Sequence, residues 1–271
     1  MITVYYNKNE KLHWNCTNSF IQGLKNYTIP CREIPIEHGY IKSDAVVLFG
    51  YKKNNNPGKL RKRIIDDHNN PSSTIIIERG FIRRKDYYSI GIGHFNGRAD
   101  FKNHNSPRGR WDRLGVVLQP LRGDGEHILL CGQVPWDASV QHIDYHRWVK
   151  KTYNILKSNY NSVIFKPHPL QTKAVNIPTT LLSRKLSDIL PECRFSVSFN
   201  SNSGVESIIE GVPTVSIDSG SMVYNISSHD ILNPMMPTAK RRFEWACNIA
   251  YAQWTLNEMK EGLPQKHLGL I

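Results

Sequence analysis

Asn200, Ser201, Asn202, Ser203 and Gly204 form a polar turn between a buried run ending at Phe199 and a helical run that Val205 and Glu206 open. Backbone N–H groups at a helix start, together with the helix dipole, favour an anion, and a phosphate fits there. Glu206, one turn further, is placed to accept hydrogen bonds from neutral hydroxyls such as those of a ribose. Taken together these residues read as a nucleotide-diphosphate pocket, although the same Ser/Asn cluster also serves simply to cap a helix. In SVIFKPHPL, an apolar strand ends abruptly in Lys166-Pro167-His168-Pro169. The two prolines fix the strand exit and hold Lys166 and His168 at its carboxyl end, where open α/β sheets bind ligands. A lysine and an imidazole there can neutralise a leaving phosphate; the bland alternative is a stiff surface loop. HILLCGQVPWDAS adds a third strand end, with Gly132 for close backbone approach, Gln133 as a polar group and Asp137 as either a ligand group or a helix cap.

In this order the strands, helices and turns resemble the nucleotide-sugar-binding half of a GT-B glycosyltransferase, and within that class the capsular-polysaccharide transferases. The resemblance rests on Lys166-Pro167-His168-Pro169 and on Ser201-Asn202-Ser203-Gly204-Val205-Glu206, and it covers about residues 126 to 220. Upstream it is thinner: IERGFIRR, Ile77 to Arg84, looks like that family's Glu-Asp-Gly-Phe-Leu/Ile-Arg stretch, with Arg79 standing in the aspartate position. What the resemblance implies is an α/β fold of two Rossmann-like lobes facing a central cleft, with a C-terminal helix crossing back to the first lobe. It also implies a nucleotide-sugar co-substrate, UDP-linked in our reading, with no permanently bound cofactor and no metal. A donor lobe of this kind would bind through Gly132, Gln133, Lys166, His168, Asn200, Ser201, Asn202, Ser203 and Glu206. A base must still take the proton of the acceptor hydroxyl. The candidates are Asp100, His94 and Glu78, with Asp100 favoured because Arg98 beside it keeps it ionised; a salt-bridged loop aspartate is the equal alternative.

Charge points to the acceptor. Lys and Arg number 35 against 23 Asp and Glu, a net charge of +12, which favours a polyanionic partner without choosing among nucleic acid, acidic glycan and membrane surface. The cations cluster at Lys52-Lys53, along Lys59 to Arg63, and around Arg79, Arg83, Arg84 and Lys85. More follow among aromatics: Asn96, Arg98, Lys102, Arg110 and Trp111 lie in one stretch with Phe95 and Phe101. Cations interleaved with rings can clamp phosphates while a ring stacks on a base, so this stretch reads as a DNA-binding surface. The alternative is solvated charge over core aromatics. The leading expectation is therefore transfer of a sugar to a hydroxymethylated pyrimidine in DNA, as in bacteriophages. The alternative is a cytoplasmic transferase acting on a bacterial surface glycan, and a non-catalytic DNA-binding protein ranks below both.

The elements that must position these groups follow from periodicity. Ile2 to Tyr6, Arg32 to Ile36, Ala45 to Tyr51 and Ser73 to Glu78 read as strands, with helices around Cys16 to Tyr27 and Lys59 to His68, in a βαβ pattern. From Tyr87 to Arg122 periodicity fades into a long irregular stretch, expected to carry acceptor loops. Arg241 to Gly262 reads as one helix, in which Tyr251 and Trp254 are packing residues. The expected domains are residues 1–122 for the acceptor, 123–240 for the nucleotide-sugar, and 241–271 for the crossing helix and tail. No run approaches the roughly 18 apolar residues of a membrane span, and the opening residues lack a signal-peptide profile, so a cytoplasmic protein is expected. The five scattered cysteines have no Cys-x-x-Cys pair and read as buried thiols.

Overall fold

The computed structural model describes residues 1–51, 56–171 and 175–271; Lys52 and Lys53 lie outside them. In chain order the elements are β1 (Ile2–Tyr6), α1 (Lys11–Asn26), β2 (Cys31–Pro35), β3 (Ala45–Phe49), α2 (Asn56–His68), β4 (Thr74–Arg79), β5 (Tyr87–Ile92) and α3 (Gly109–Leu114). There follow β6 (His127–Cys131), α4 (Tyr145–Asn159), β7 (Val163–Lys166), α5 (Leu186–Ile189), β8 (Cys193–Ser198), α6 (Ser203–Ile209) and β9 (Thr214–Ser216). The chain ends with α7 (Ala239–Ala250), β10 (Gln253–Thr255), α8 (Leu256–Lys260) and α9 (Leu263–His267).

The chain divides into two α/β units, residues 1–110 with 247–271 and residues 111–246. The sequence reading places these boundaries after Arg122 and Lys240. Residues 111–122 go with the second unit because Gln119 N–H donates to Ile209 O and Arg122 N–H to Gly211 O, while Gly211, at φ +78°, has no room for a Cβ against Pro120. Arg242 and Trp245 are held there too, by bonds to the carbonyls of Ile208, Ile209, Gln119 and Met222.

The first unit holds a six-stranded sheet in the order β10-β5-β4-β3-β1-β2, and the second a four-stranded sheet in the order β7-β6-β8-β9. All pairings among β1 to β4 and all in the second sheet are parallel. Both units wind alike: the first strand sits inside, the second joins one side of it and the third the other, so strand order reverses between β1 and β3 and again between β6 and β8. Parallel strands covered on both faces must be apolar throughout, which is why AVVLF of β3 is buried at every position. In β6, Ile128 and Leu130 pack with Val149, Tyr153 and Leu156 of α4, while Leu129 and Cys131 face Ile189, Leu190 and Val212. Cys16, Cys131, Cys193 and Cys247 are buried cysteines outside any disulfide, and burial pushes the first three up to about 12; Cys31, expected to be buried, is partly exposed at the start of β2.

Two elements differ from the expectations. Tyr87–Ile92, at the head of the stretch read as irregular, is strand β5, antiparallel to β4, and Ile92 exchanges backbone bonds with Asp100. The run Arg241 to Gly262 is two helices broken by β10, which pairs antiparallel with β5. The break has a local cause: Thr255 Oγ1 accepts from Glu258 N–H while Glu258 Oε2 accepts from Thr255 N–H, a capping box that starts α8 afresh. Thr255→Ala is expected to lower stability by about 1 kcal/mol, read as a lower urea midpoint at unchanged slope.

Candidate functional site

The reversal between β6 and β8 is where an open α/β sheet takes a ligand. Two residues from those strand ends, 67 positions apart in sequence, meet there. Gln133 Nε2 donates to Asn200 Oδ1 at 2.7 Å, and Asn200 N–H donates back to Gln133 Oε1 at 3.2 Å. Ser139 joins them, its hydroxyl accepting from Gln133 Nε2 at 3.1 Å and donating to Asp137 Oδ1 at 2.8 Å. Asn200 Nδ2 reaches Ser139 O at 2.9 Å and Asp218 Oδ1 at 2.8 Å, and Asp218 also accepts Gly220 N–H. His142 Nε2 lies 3.3 Å from Asp218 Oδ2. Below this layer, Gln133 N–H donates to Tyr145 OH at 2.7 Å, and burial pushes that phenol upward. Gln133, Ser139 and Asn200 are all buried, so the network is rigid, with its exposed rim at His142. Ser139, His142, Tyr145 and Asp218 are site residues that sequence alone does not single out; the one available signal is that Asp218 stands two residues beyond the buried strand β9.

At Gly132 a Cβ would lie 2.9 Å from Pro167 Cα and 3.1 Å from Lys166 O, so the glycine makes room for the neighbouring strand exit. Lys166 points to the carbonyls of Leu181 and Leu182, at 3.3 and 3.0 Å, and burial lowers its pKa. His168 Nδ1 accepts from Leu170 N–H at 3.1 Å, which leaves Nε2 as the protonated nitrogen of the neutral ring. At α6 the N–H of Ser203 turns to Ser201 Oγ, that of Gly204 to Ser201 O, and those of Val205 and Glu206 to Asn202 O. Those donors close the turn. Ser203 is buried beside Cys131, the Ser198 hydroxyl is buried without an acceptor, and Glu206 is exposed.

In the first unit the three base candidates are not brought together. Glu78 is the penultimate residue of β4, near the carboxyl edge of the parallel strands and partly buried, and its charge favours the cationic form of Arg61. Asp100 lies opposite Ile92, whose partner on β4 is Ile75, three residues or about 10 Å back along the strand. Its partner is Lys102, not Arg98: Oδ1 accepts Lys102 N–H at 2.9 Å and Oδ2 lies 2.7 Å from Nζ. Burial alone would raise the Asp100 pKa, but these contacts hold it below the usual range. The His94 ring packs between Tyr51 and Phe95.

The cation-and-ring stretch is mostly core. Arg110 and Trp111 are each 5% exposed, and Phe95 and Phe101 are buried. Arg110 pairs with Glu258 at 2.6 Å, donates to the carbonyls of Ala250 and Gln253, and lies 3.8 Å over the Trp254 ring. Arg83 and Arg84, on the β4–β5 turn, remain exposed, as do Arg98 and Lys102, while Asn96 is half-buried. Arg79 donates to Arg84 O and covers the Tyr88 ring. Among the described residues no helix is long and apolar enough to cross a membrane, and no group of three or more His, Cys, Asp and Glu gathers as a metal site.

No protein-family model matches the chain, and no curated protein sequence does. Among solved structures it is similar to the KpsC beta Kdo 2,4 transferase of Thermosulfurimonas dismutans, with a TM-score of 0.58 and 13% identity over 93% of this chain and 90% of that one. It is also similar to the KpsC beta Kdo 2,7 transferase of the same organism, with a TM-score of 0.55 and 15% identity over 97% and 98% of the two chains. At that identity the likeness is one of fold: these structural neighbours are glycosyltransferases, and the chain shares their α/β architecture along nearly its whole length.

Proposed function

We propose that the chain is a glycosyltransferase of the GT-B type, moving a sugar from a nucleotide-sugar to a hydroxyl of a bacterial surface glycan. The observation that carries this reading is the fold shared with two glycan-building transferases over nine-tenths or more of each chain. In this reading the donor belongs at the β6/β8 edge, with the Gln133–Asn200–Asp218 network as its floor, His142 on the exposed side of that network, and His168 and Glu206 assigned to donor contacts. In such a site the acceptor oxygen attacks the sugar carbon, the nucleotide leaves with the bonding electron pair, and a side chain takes the hydroxyl proton. Metal independence and action in the cytoplasm belong to this proposal.

A glycan acceptor is preferred to DNA because Phe95, Phe101 and Trp111, the rings that would stack on bases, are buried together with Arg110, which leaves only exposed cations such as Arg98 and Lys102 on that stretch. Incubation with a panel of nucleotide sugars, offering an acidic glycan and hydroxymethylated duplex DNA separately, tests both halves of the reading by mass spectrometry. Sugar on the glycan alone is expected; sugar on the DNA alone restores the nucleic-acid acceptor. In calorimetry, His168→Ala and Glu206→Ala are each expected to weaken donor binding about tenfold, or about 1.4 kcal/mol. Unchanged affinity in both variants moves the donor away from this edge.

A further inference from the structure

Three arginines among the described residues are buried to 5% exposure or less: Arg61, Arg110 and Arg242. A guanidinium taken out of water needs acceptors for its five N–H groups. Arg110 uses Nε, Nη1 and Nη2 on Ala250 O, Gln253 O and the Glu258 carboxylate. Arg242 uses all three nitrogens on the carbonyls of Ile208, Gln119 and Ile209. Arg61 differs. Its hydrogen-bond partner among the described residues is His13 Nδ1, 3.3 Å from Nη2, and its Nε is buried with no acceptor.

The place of this under-bonded cation is specific. Gly50, directly after β3, has φ +87°, and a Cβ there would lie 2.9 Å from the Arg61 Cζ, so the glycine makes room for the guanidinium. β3 neighbours β1, and the strand order of the first unit reverses between them, the position at which such sheets take ligands. Glu10 does not satisfy the cation directly, being bound to His13 Nε2 at 2.9 Å and to Asn7 Nδ2 at 3.1 Å. Glu10 and Glu78 favour the charged guanidinium only across space.

We propose that Arg61, with His13 beside it, anchors an oxyanion site in the first unit that takes the carboxylate or phosphate group of a small ligand. The fold buries this cation while supplying, among the described residues, one side-chain hydrogen bond, from His13, and leaving Nε without an acceptor, so the missing acceptors are assigned to the ligand. Carboxylate and phosphate oxygens match the spacing of a guanidinium fork, which a lysine cannot reproduce. The site does not depend on the transferase reading, because its test reads binding alone.

The experiment is a thermal-shift titration of the full chain with sodium phosphate, with sodium glucuronate and with sodium chloride at matched ionic strength. The wild type is expected to show a saturable rise in Tm with phosphate or with glucuronate that chloride does not give, and the effective salt identifies the ligand group. Arg61→Met should lose that rise while its unliganded Tm stays level or increases, since replacing an under-bonded buried cation by an apolar side chain is often neutral or stabilising. Arg61→Lys keeps the charge but not the fork and should bind at least about tenfold more weakly. If Arg61→Met does not fold, the Arg61→Lys comparison decides. Equal anion responses in the wild type and the folded variants, or no response beyond chloride in the wild type, overturn the site.

Discussion

Glu78→Gln is expected to lower turnover by about two to four orders of magnitude while leaving nucleotide-sugar affinity nearly unchanged. The amide keeps the shape of the carboxylate but cannot take the acceptor proton. Glu78 is preferred because it lies in the last two residues of β4, near the carboxyl edge of the parallel strands, partly buried and in the electrostatic reach of Arg61. Asp100, the residue that sequence favours, lies about 10 Å back toward the amino end of β4 and is already held by Lys102 through both oxygens. Asp100→Asn is therefore expected to stay within about threefold of wild-type turnover, well below a general-base effect. Single-turnover kinetics on the glycan acceptor, with His94→Gln as the third variant, separates the cases. A dead Asp100→Asn beside an active Glu78→Gln would place the base on the Gly93 to Phe101 loop after all.

What sequence makes legible here is whatever is local and repeated. The strands β1, β3, β4, β6, β7 and β8 are short, largely apolar runs, several of them rich in Val and Ile, and they show without partners. β5 is harder to see because Gly91 interrupts it, and the glycine is there because a Cβ would meet Ala99 and Phe101 at 2.6 and 2.8 Å. The break after α7 had a readable signal in Thr255-Leu256-Asn257-Glu258, a Thr-x-x-Glu capping box, hidden by the helical spacing of Trp245, Ile249, Ala252 and Leu256 around it. Depth is not local. Arg110 and Trp111 have the composition of a nucleic-acid clamp, and only tertiary packing on Trp254 and Glu258 shows that Arg110 is an internal anchor. The donor-side network is also non-local. Gln133 and Asn200 could be nominated singly from their strand ends, but their mutual pair, and the recruitment of Asp218 and His142, exist only once β6, β8 and β9 lie side by side.

Arg110→Met is expected to destabilise the first unit by about 3–5 kcal/mol, the effect of removing one partner from a buried ion pair. The penalty arises chiefly from Glu258, whose side chain is 20% exposed and which also closes the capping box of α8. Burial pushes the Glu258 carboxyl up, and the hydrogen bonds from Arg110 and Thr255 outweigh it, so the folded value lies below the usual carboxylate range. A depressed folded value contributes stability that is present above the unfolded pKa and is lost as pH falls through the folded one. Without Arg110 burial opposes the ionised form with one main counterweight gone, so the Glu258 value rises and protonation relieves the unpaired charge. The deficit of Arg110→Met should accordingly be largest near pH 7 and shrink as the pH is lowered through the carboxylate range. Urea melts of wild type and variant at several pH values measure it, and the double variant Arg110→Met/Glu258→Gln should recover part of the loss at pH 7 by removing the stranded charge. A deficit independent of pH, with no recovery in the double variant, would mean that Arg110 acts through its packing on Trp254 and its bonds to Ala250 O and Gln253 O rather than through its charge.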